Sequence, residues 1–297
     1  MENKLITIFT PAYNRAYCLD NLYQSLVKQS SQNFIWHIVD DGSVDNTREI
    51  VDSFIEENKI CIVYDYQENA GKHVAHNAGV EKCKTKLFFC VDSDDELTED
   101  AVCVIEKEWE TLKDIKDIQT SGMVLYRAYR NRTLVGTEFP DGVEYSTLSG
   151  LYRRGFKGDT ALVFITDVLK NFLFPYFEGE RFLRENIVYD KIDLEYKLKL
   201  VRKAIYLCEY LEDGLSKNAT RLELKSPKGA ALYRLGQYKR AQHIKSKYRN
   251  CAAYVLYSII AHDIKAAIKE IGVFKFLIML PFAAGGYMNY IINGVCK

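Results

Sequence analysis

Leu87-Phe88-Phe89-Cys90-Val91-Asp92-Ser93-Asp94-Asp95-Glu96-Leu97 (LFFCVDSDDEL) joins a run of apolar residues to four acidic side chains within five positions. An unbroken apolar run of this length reads as a strand covered on both faces. The same pattern recurs upstream. Leu5 to Phe9 (LITIF) reads as a buried strand before the turn Thr10-Pro11-Ala12-Tyr13-Asn14-Arg15, and Phe34 to Val39 (FIWHIV) runs into Asp40-Asp41-Gly42-Ser43. Ile60 to Tyr64 gives a third strand. Between these runs lie helical patterns: Leu19, Leu22, Leu26 and Val27; then Ile50, Val51, Phe54 and Ile55 behind Asn46 and Glu49; then residues 71–83. Strands alternating with helices predict an α/β fold with a mostly parallel sheet and helices on both faces. Such sheets bind ligands beyond the carboxyl ends of their strands. The loops after the first, second and fourth strands are therefore expected to face one pocket.

The 297 residues, 48% of them hydrophobic, suffice for one large core with an appended subdomain or for two domains. Forty Lys plus Arg balance forty Asp plus Glu, so no overall basic field steers the protein onto nucleic acid. The eight cysteines are scattered without a C-x-x-C pair, as in a reduced cytosolic protein. Met1-Glu2-Asn3-Lys4 leads straight into a strand pattern without the apolar stretch of a signal peptide, so a cytoplasmic location is expected.

Two carboxylates one residue apart on a loop can hold a hard divalent cation and leave positions open for phosphate oxygens, an arrangement suited to Mg²⁺ and Mn²⁺. A solvated turn before a helix start at Leu97-Thr98-Glu99 would carry the same acids. His73 and His76 lie three apart on a predicted helix with no third ligand at a usual spacing, which reads as packing or hydrogen bonding. His37 sits within a strand and reads as core.

TPAYNR, VDDGS, the N-x-G…N-x-G segment Asn69 to Gly79 and VDSDD, in this order behind successive strands, resemble the nucleotide-binding half of family 2 glycosyltransferases. The resemblance covers residues 5–97. It implies a GT-A fold, Rossmann-like with a mostly parallel sheet flanked by helices, and inverting transfer of a sugar from a nucleotide diphosphate with Mn²⁺ or Mg²⁺ as cofactor. A looser match over Gly158-Asp159 and Glu178 to Glu185 is similar to the acceptor half of bacterial enzymes that build capsular and other surface polysaccharides.

Carried over residue by residue, the resemblance makes Thr10, Pro11, Tyr13 and Arg15 the first uridine loop, with Tyr13 stacking on the base. Asp40 would accept from the uracil imide, and Lys72 would contact the nucleotide or its phosphates. Asp92 would hold the ribose side, with Ser93 beside it among the nucleotide-binding residues. Asp94 would be the direct metal ligand, with Asp92 and Asp95 completing the acidic set. Inversion needs a base at the acceptor hydroxyl; Glu185 matches it best, Glu180 is the reserve, and Asp159 and Asp213 follow. The family motif ends in a carboxylate pair, whereas here Asn186 follows Glu185. Tyr210 to Ser216 resembles a loop that closes near the acceptor, although a simple Asp-Gly turn would read the same.

These readings divide the chain into a nucleotide-sugar half (1–97), an acceptor half (98–225) and a helical C-terminal extension (226–297). Ile271 to Val295 is the most apolar stretch, interrupted by Lys275 and Asn289 and broken by Pro281, Gly285 and Gly286. A peripheral membrane contact, helped by Lys and Arg in 228–249, or else a tail that folds back to cap the catalytic domain or makes a homodimer contact, is expected there rather than a span. The partners implied are a uridine diphosphate sugar and a saccharide acceptor, free or lipid-linked. The rival reading is a nucleotide-sugar-binding protein without turnover. A nucleotidyltransferase would show a Gly-rich phosphate loop that TPAYNR lacks.

Overall fold

The computed structural model describes residues 4–115, 117–209 and 215–292. The chain runs β1 (Ile6–Ala12), α1 (Leu19–Val27), β2 (Phe34–Asp40), α2 (Thr47–Glu57), β3 (Ile62–Tyr66), α3 (Lys72–Lys82), β4 (Leu87–Cys90), β5 (Glu96–Leu97) and α4 (Ala101–Leu112). It continues as β6 (Thr120–Tyr129), β7 (Tyr145–Ser146), α5 (Leu148–Arg153), β8 (Thr160–Ile165), α6 (Thr166–Leu169), α7 (Asn186–Ile192) and β9 (Lys197–Cys208). Five helices follow: α8 (Leu215–Lys225), α9 (Pro227–Arg240), α10 (Ile244–Ile260), α11 (Ile264–Ile271) and α12 (Val273–Ile292).

One sheet carries all the described strands in the order β3-β2-β1-β4-β8-β6-β9-β5, with β7 on β9. The pairs β2–β3, β1–β2 and β1–β4 are parallel, as expected. Beyond β4 the sheet is mixed: β4–β8, β6–β8, β5–β9 and β7–β9 are antiparallel and β6–β9 is parallel. The fold is thus α/β with a parallel first half and a mixed second half.

Alternation along β1 explains the two covering layers. Ile6 and Ile8 join Leu19, Leu22, Tyr23, Trp36 and Phe54 in the main core, where the Tyr23 and Phe54 rings stack 4.0 Å apart. Phe9 points the other way, stacked on Phe88 at 5.1 Å and edge-on to His76 of α3. Gly79 lets α3 come this close, since a Cβ there would lie 2.2 Å from the Phe9 ring. Gly79→Val is therefore expected to lower the unfolding free energy by about 1–3 kcal/mol through overpacking. A denaturant midpoint equal to that of the unaltered chain would contradict this packing.

β1 runs three residues further than its apolar core suggests. Thr10, Pro11 and Ala12 pair with Ile38, Val39 and Asp40. The β4 ladder stops at Phe9–Cys90, so the missing N–H of Pro11 leaves no β4 partner unsatisfied. β9 has no counterpart in the sequence reading. Its twelve residues carry Lys197, Lys199, Arg202 and Lys203, which obscure the apolar alternation, and its pairing with β6 shifts register at Tyr126. Lys199 lies along the sheet surface, its Nζ 2.7 Å from Glu108 of α4.

The chain divides into two compact units, residues 1–173 with 188–210 and residues 174–187 with 211–297. Among the described residues the second is helical from α8 onward, and the boundary expected at 226 falls inside it, between α8 and α9. Glu223, 1% exposed, gathers this unit: its carboxylate accepts from Arg184 Nε at 2.7 Å, Arg234 at 2.8 Å and the Tyr257 hydroxyl at 2.9 Å. A carboxylate so buried must be compensated, and here two guanidiniums do it. α12 is one continuous helix through Pro281, contrary to the break expected there.

Candidate functional site

The loops after β1 and β2 are laced together by short polar bonds. Asn14 N–H donates to Ser43 Oγ at 2.8 Å, Val44 N–H to Asn14 Oδ1 at 2.9 Å, and Arg15 N–H to Thr47 Oγ1 at 2.9 Å. Tyr13 stands out from this lacing with 46% of its surface exposed, free to offer a ring face; Pro11 and Arg15 are half-buried beside it.

The Thr10 and Asp40 side chains are turned inward, which for Asp40 departs from the bond expected to the uracil imide. Thr10 is fully buried, its hydroxyl accepting from Trp36 Nε1 at 3.0 Å. Asp40 is 1% exposed and both its oxygens are engaged, Oδ1 by Ser43 N–H and Oδ2 by the Tyr64 hydroxyl, each at 2.8 Å. A carboxylate so enclosed shapes the β2 turn; it does not reach a base edge. Asp41 extends this lacing to the next loop, accepting from Gln67, Ala70 N–H and Gly71 N–H. Gly71 has φ of 101°, a conformation open to glycine, and the amide it presents to Asp41 immediately precedes Lys72 and α3.

The loop after β4 is held from below. Tyr206 of β9 bridges it, its hydroxyl donating to Asp95 Oδ2 at 2.6 Å and accepting from Asp92 N–H at 3.0 Å. Arg127 of β6 lies over the Tyr206 ring at 4.0 Å and 3.8 Å from Asp95. Asp95 is 5% exposed; burial, then the nearby Asp92 charge, pushes its carboxyl above the usual carboxylate range. Its side chain supports the loop from inside, as its Tyr206 and Arg127 contacts show. Ser93 is likewise buried, beside the Cys18 thiol, which burial pushes up to about 11.

Asp92 and Asp94 are the half-buried members. Lys72 Nζ donates to Asp92 Oδ1 at 2.7 Å. Burial would raise the Asp92 carboxyl, but Lys72, with Arg127, holds it below the usual range. Asp94 behaves oppositely: burial first and the Asp92 charge second push it up. Among the described residues no side chain donates a hydrogen bond to Asp94 or to Asp92 Oδ2. Two half-buried carboxylates one residue apart on a loop form an all-oxygen pair, which suits Mg²⁺ or Mn²⁺. No cage of three or more His, Cys, Asp or Glu occurs among the described residues, so the remaining positions would fall to oxygens from outside the chain. The residues present fit such an ion.

Residues 7–154 match the family model described as glycosyl transferase family 2. The chain carries a family 2 glycosyltransferase domain. Within this region it is 35% identical over 102 residues to glycosyltransferase GlyG of Streptococcus pneumoniae, a match covering 34% of this chain and 33% of that protein. Against three such curated relatives the chain spans 33%, 63% and 42% of their length. Among solved structures, S. aureus TarS 1-349 in complex with UDP-GlcNAc superposes with a TM-score of 0.61 at 15% identity, covering 96% of this chain and 92% of that one. The mannosyltransferase PcManGT of Pyrobaculum calidifontis, in complex with GDP-Man and Mn²⁺, does so with a TM-score of 0.54 at 16% identity, covering 96% and 80%. At these identities the likeness carries the fold, a GT-A sheet with its flanking helices.

The carboxylates expected for the acceptor side of a family 2 enzyme separate clearly. Glu180 is 6% exposed and accepts from Lys228 N–H at 2.7 Å and Gly229 N–H at 2.8 Å. These are open amides in the first turn of α9, where a carboxylate also meets the positive end of the helix dipole. Glu180 is thereby a helix cap, which corrects its reserve role as base. Glu180→Ala is expected to cost about 0.5–2 kcal/mol, read as a lower denaturation midpoint. Glu185 is exposed, immediately before α7. Asp159 is exposed just before β8. Asp213 and most of the Tyr210–Ser216 loop lie outside the described residues.

Arg127 and Tyr206 went unread in the sequence. Tyr206 meets Asp95 from 111 positions away, and no local pattern announces that. Tyr206→Phe removes one hydroxyl and leaves a buried carboxylate oxygen and the Asp92 amide without their partner. The expected cost is about 1–3 kcal/mol of stability, together with weaker Mn²⁺-linked binding of uridine diphosphate in calorimetry. Unchanged values for both would remove Tyr206 from the support of the loop.

Proposed function

We propose that the protein is an inverting, divalent-metal-dependent glycosyltransferase that moves a sugar from a uridine diphosphate donor to a saccharide hydroxyl in bacterial surface polymer synthesis. The observation that carries this reading is the Asp92–Asp94 pair: two half-buried carboxylates on a braced loop behind a parallel strand, one of them paired with Lys72. The family 2 domain and the UDP-GlcNAc complex of the TarS fold relative support a nucleotide-sugar donor, and the Mn²⁺ complex of the mannosyltransferase supports the metal.

In this reading Tyr13 offers its ring to the base while Asp40 and Asp41 hold the loops around it. Lys72, paired with Asp92 in the structure, supplies the positive charge for the donor's phosphate oxygens. Asp94, with Asp92, holds the metal, which when bound offsets the charge on the departing diphosphate. Glu185 takes the proton of the acceptor hydroxyl as it attacks the anomeric carbon from the face opposite the leaving group.

A thermal-shift screen of nucleotide sugars with and without Mn²⁺ tests the donor reading, because a ligand bound only by the native state raises apparent stability by about 2.7 kcal/mol at a hundredfold excess over its dissociation constant. A uridine diphosphate sugar that stabilises in the presence of Mn²⁺ and is slowly hydrolysed supports a transferase. Binding without turnover, even with acceptor extracts, would make the protein a nucleotide-sugar-binding module. Stabilisation by a guanosine sugar alone would overturn the uridine assignment.

A further inference from the structure

α12 has two unlike faces. Phe276, Met279 and Ala283 turn inward into a core shared with Val255 and Tyr257 of α10. The outward face carries Phe274, Leu277, Ile278, Phe282, Met288 and Ile292, each between 43% and 79% exposed. The spacing places these six over five turns of one helix side. An exposed apolar surface of this extent marks an interface.

The charge around the face says what covers it. Lys275, the single charge in α12, donates to the Tyr238 hydroxyl at 2.8 Å. Lys247 of α10 and Lys275 both lie against the Tyr238 ring, at 5.6 and 5.5 Å. Among the described residues neither ammonium has a carboxylate partner. Between Ser226 and Ile292 ten Lys and Arg stand against only Asp263 and Glu270, in a chain whose charges balance overall. A second copy of the chain is disfavoured, since a two-fold contact would bring these cationic clusters toward each other. α12 is also long and apolar enough to cross a bilayer, with a mean hydropathy of 1.2. Crossing would strip Phe276 and Met279 from α10.

We propose that α12 lies flat in the interface of an anionic phospholipid bilayer, its outward residues among the acyl chains and Lys247 and Lys275 at the lipid phosphates. The proposal rests on the second unit alone and stands or falls separately from the donor reading.

The test is sedimentation of the full chain with vesicles of phosphatidylcholine, alone or mixed with phosphatidylglycerol. The chain is expected to sediment with the mixed vesicles and to be released by high salt. Lys247→Gln/Lys275→Gln, both outside the core, should weaken binding roughly tenfold or more. Leu277→Glu/Phe282→Glu should abolish it with an unchanged circular dichroism melt. Equal binding to neutral vesicles, unaltered binding by the lysine variant, or failure to bind at all would overturn the proposal. So would resistance to alkaline carbonate extraction, which indicates a span, or a dimer in sedimentation velocity that Leu277→Glu dissolves.

Discussion

Replacing Asp94 with alanine is expected to abolish the Mn²⁺-dependent tightening of uridine diphosphate binding and to reduce transfer to background, with the fold intact. Asp94 is half-buried, no described side chain donates to it, and its neighbour Asp92 already repels its charge. Removing it leaves one carboxylate, itself paired to Lys72, to hold the metal. Stability should not fall and can rise slightly, because a desolvated anion next to a like charge is lost. Calorimetry of uridine diphosphate with and without Mn²⁺ reads the first effect and a thermal melt the second. Equal Mn²⁺ linkage in the variant and the unaltered chain would sink the assignment. Asp95→Asn makes the contrast: its carboxylate faces Tyr206 and Arg127, so its loss should act mainly on stability.

Glu185→Gln is expected to lower transfer by roughly 10²–10⁴-fold, the range for a positioned general base, with donor affinity nearly unchanged. The substitution keeps the size of an exposed side chain, and the residues proposed for the donor, Tyr13, Lys72, Asp92 and Asp94, lie far from it in the sequence. Steady-state rates beside donor calorimetry separate the two effects. If the rate holds while donor binding is intact, the base lies elsewhere, with Asp159 and Asp213 next to be changed. Glu180 is not the next choice, because its oxygens are committed to the first turn of α9.

The sequence was most legible where structure is local. The apolar runs at Leu5, Phe34, Ile60 and Leu87, each closed by turn residues, gave β1 to β4 to within a few positions. Their alternation with helices gave the parallel half. The loops at their carboxyl ends were equally legible, since topology places them on one edge of the sheet. β9 was not, because its charged residues face the surface of a sheet whose other strands were themselves hard to order.

What each acidic residue does was settled only by tertiary structure. Asp40, Asp41, Asp92, Asp94, Asp95, Glu180 and Glu185 all read as site carboxylates or their neighbours. The fold sorts them by partners 24 to 111 positions away: Tyr64 for Asp40, Gly71 for Asp41, the α9 amides for Glu180, Tyr206 for Asp95. A carboxylate left half-open can take a ligand, whereas one enclosed by donors is held as structure, and the difference lies in its desolvation and hydrogen bonding, not its residue type. The sequence by itself determined the strand–helix alternation, the edge at which a ligand binds and the acidic character of that edge, because these follow from short-range patterning. Tertiary structure alone decided that Asp92 and Asp94 stay half-exposed while Asp40 and Asp95 are enclosed, because that choice is made by side chains brought in from distant strands.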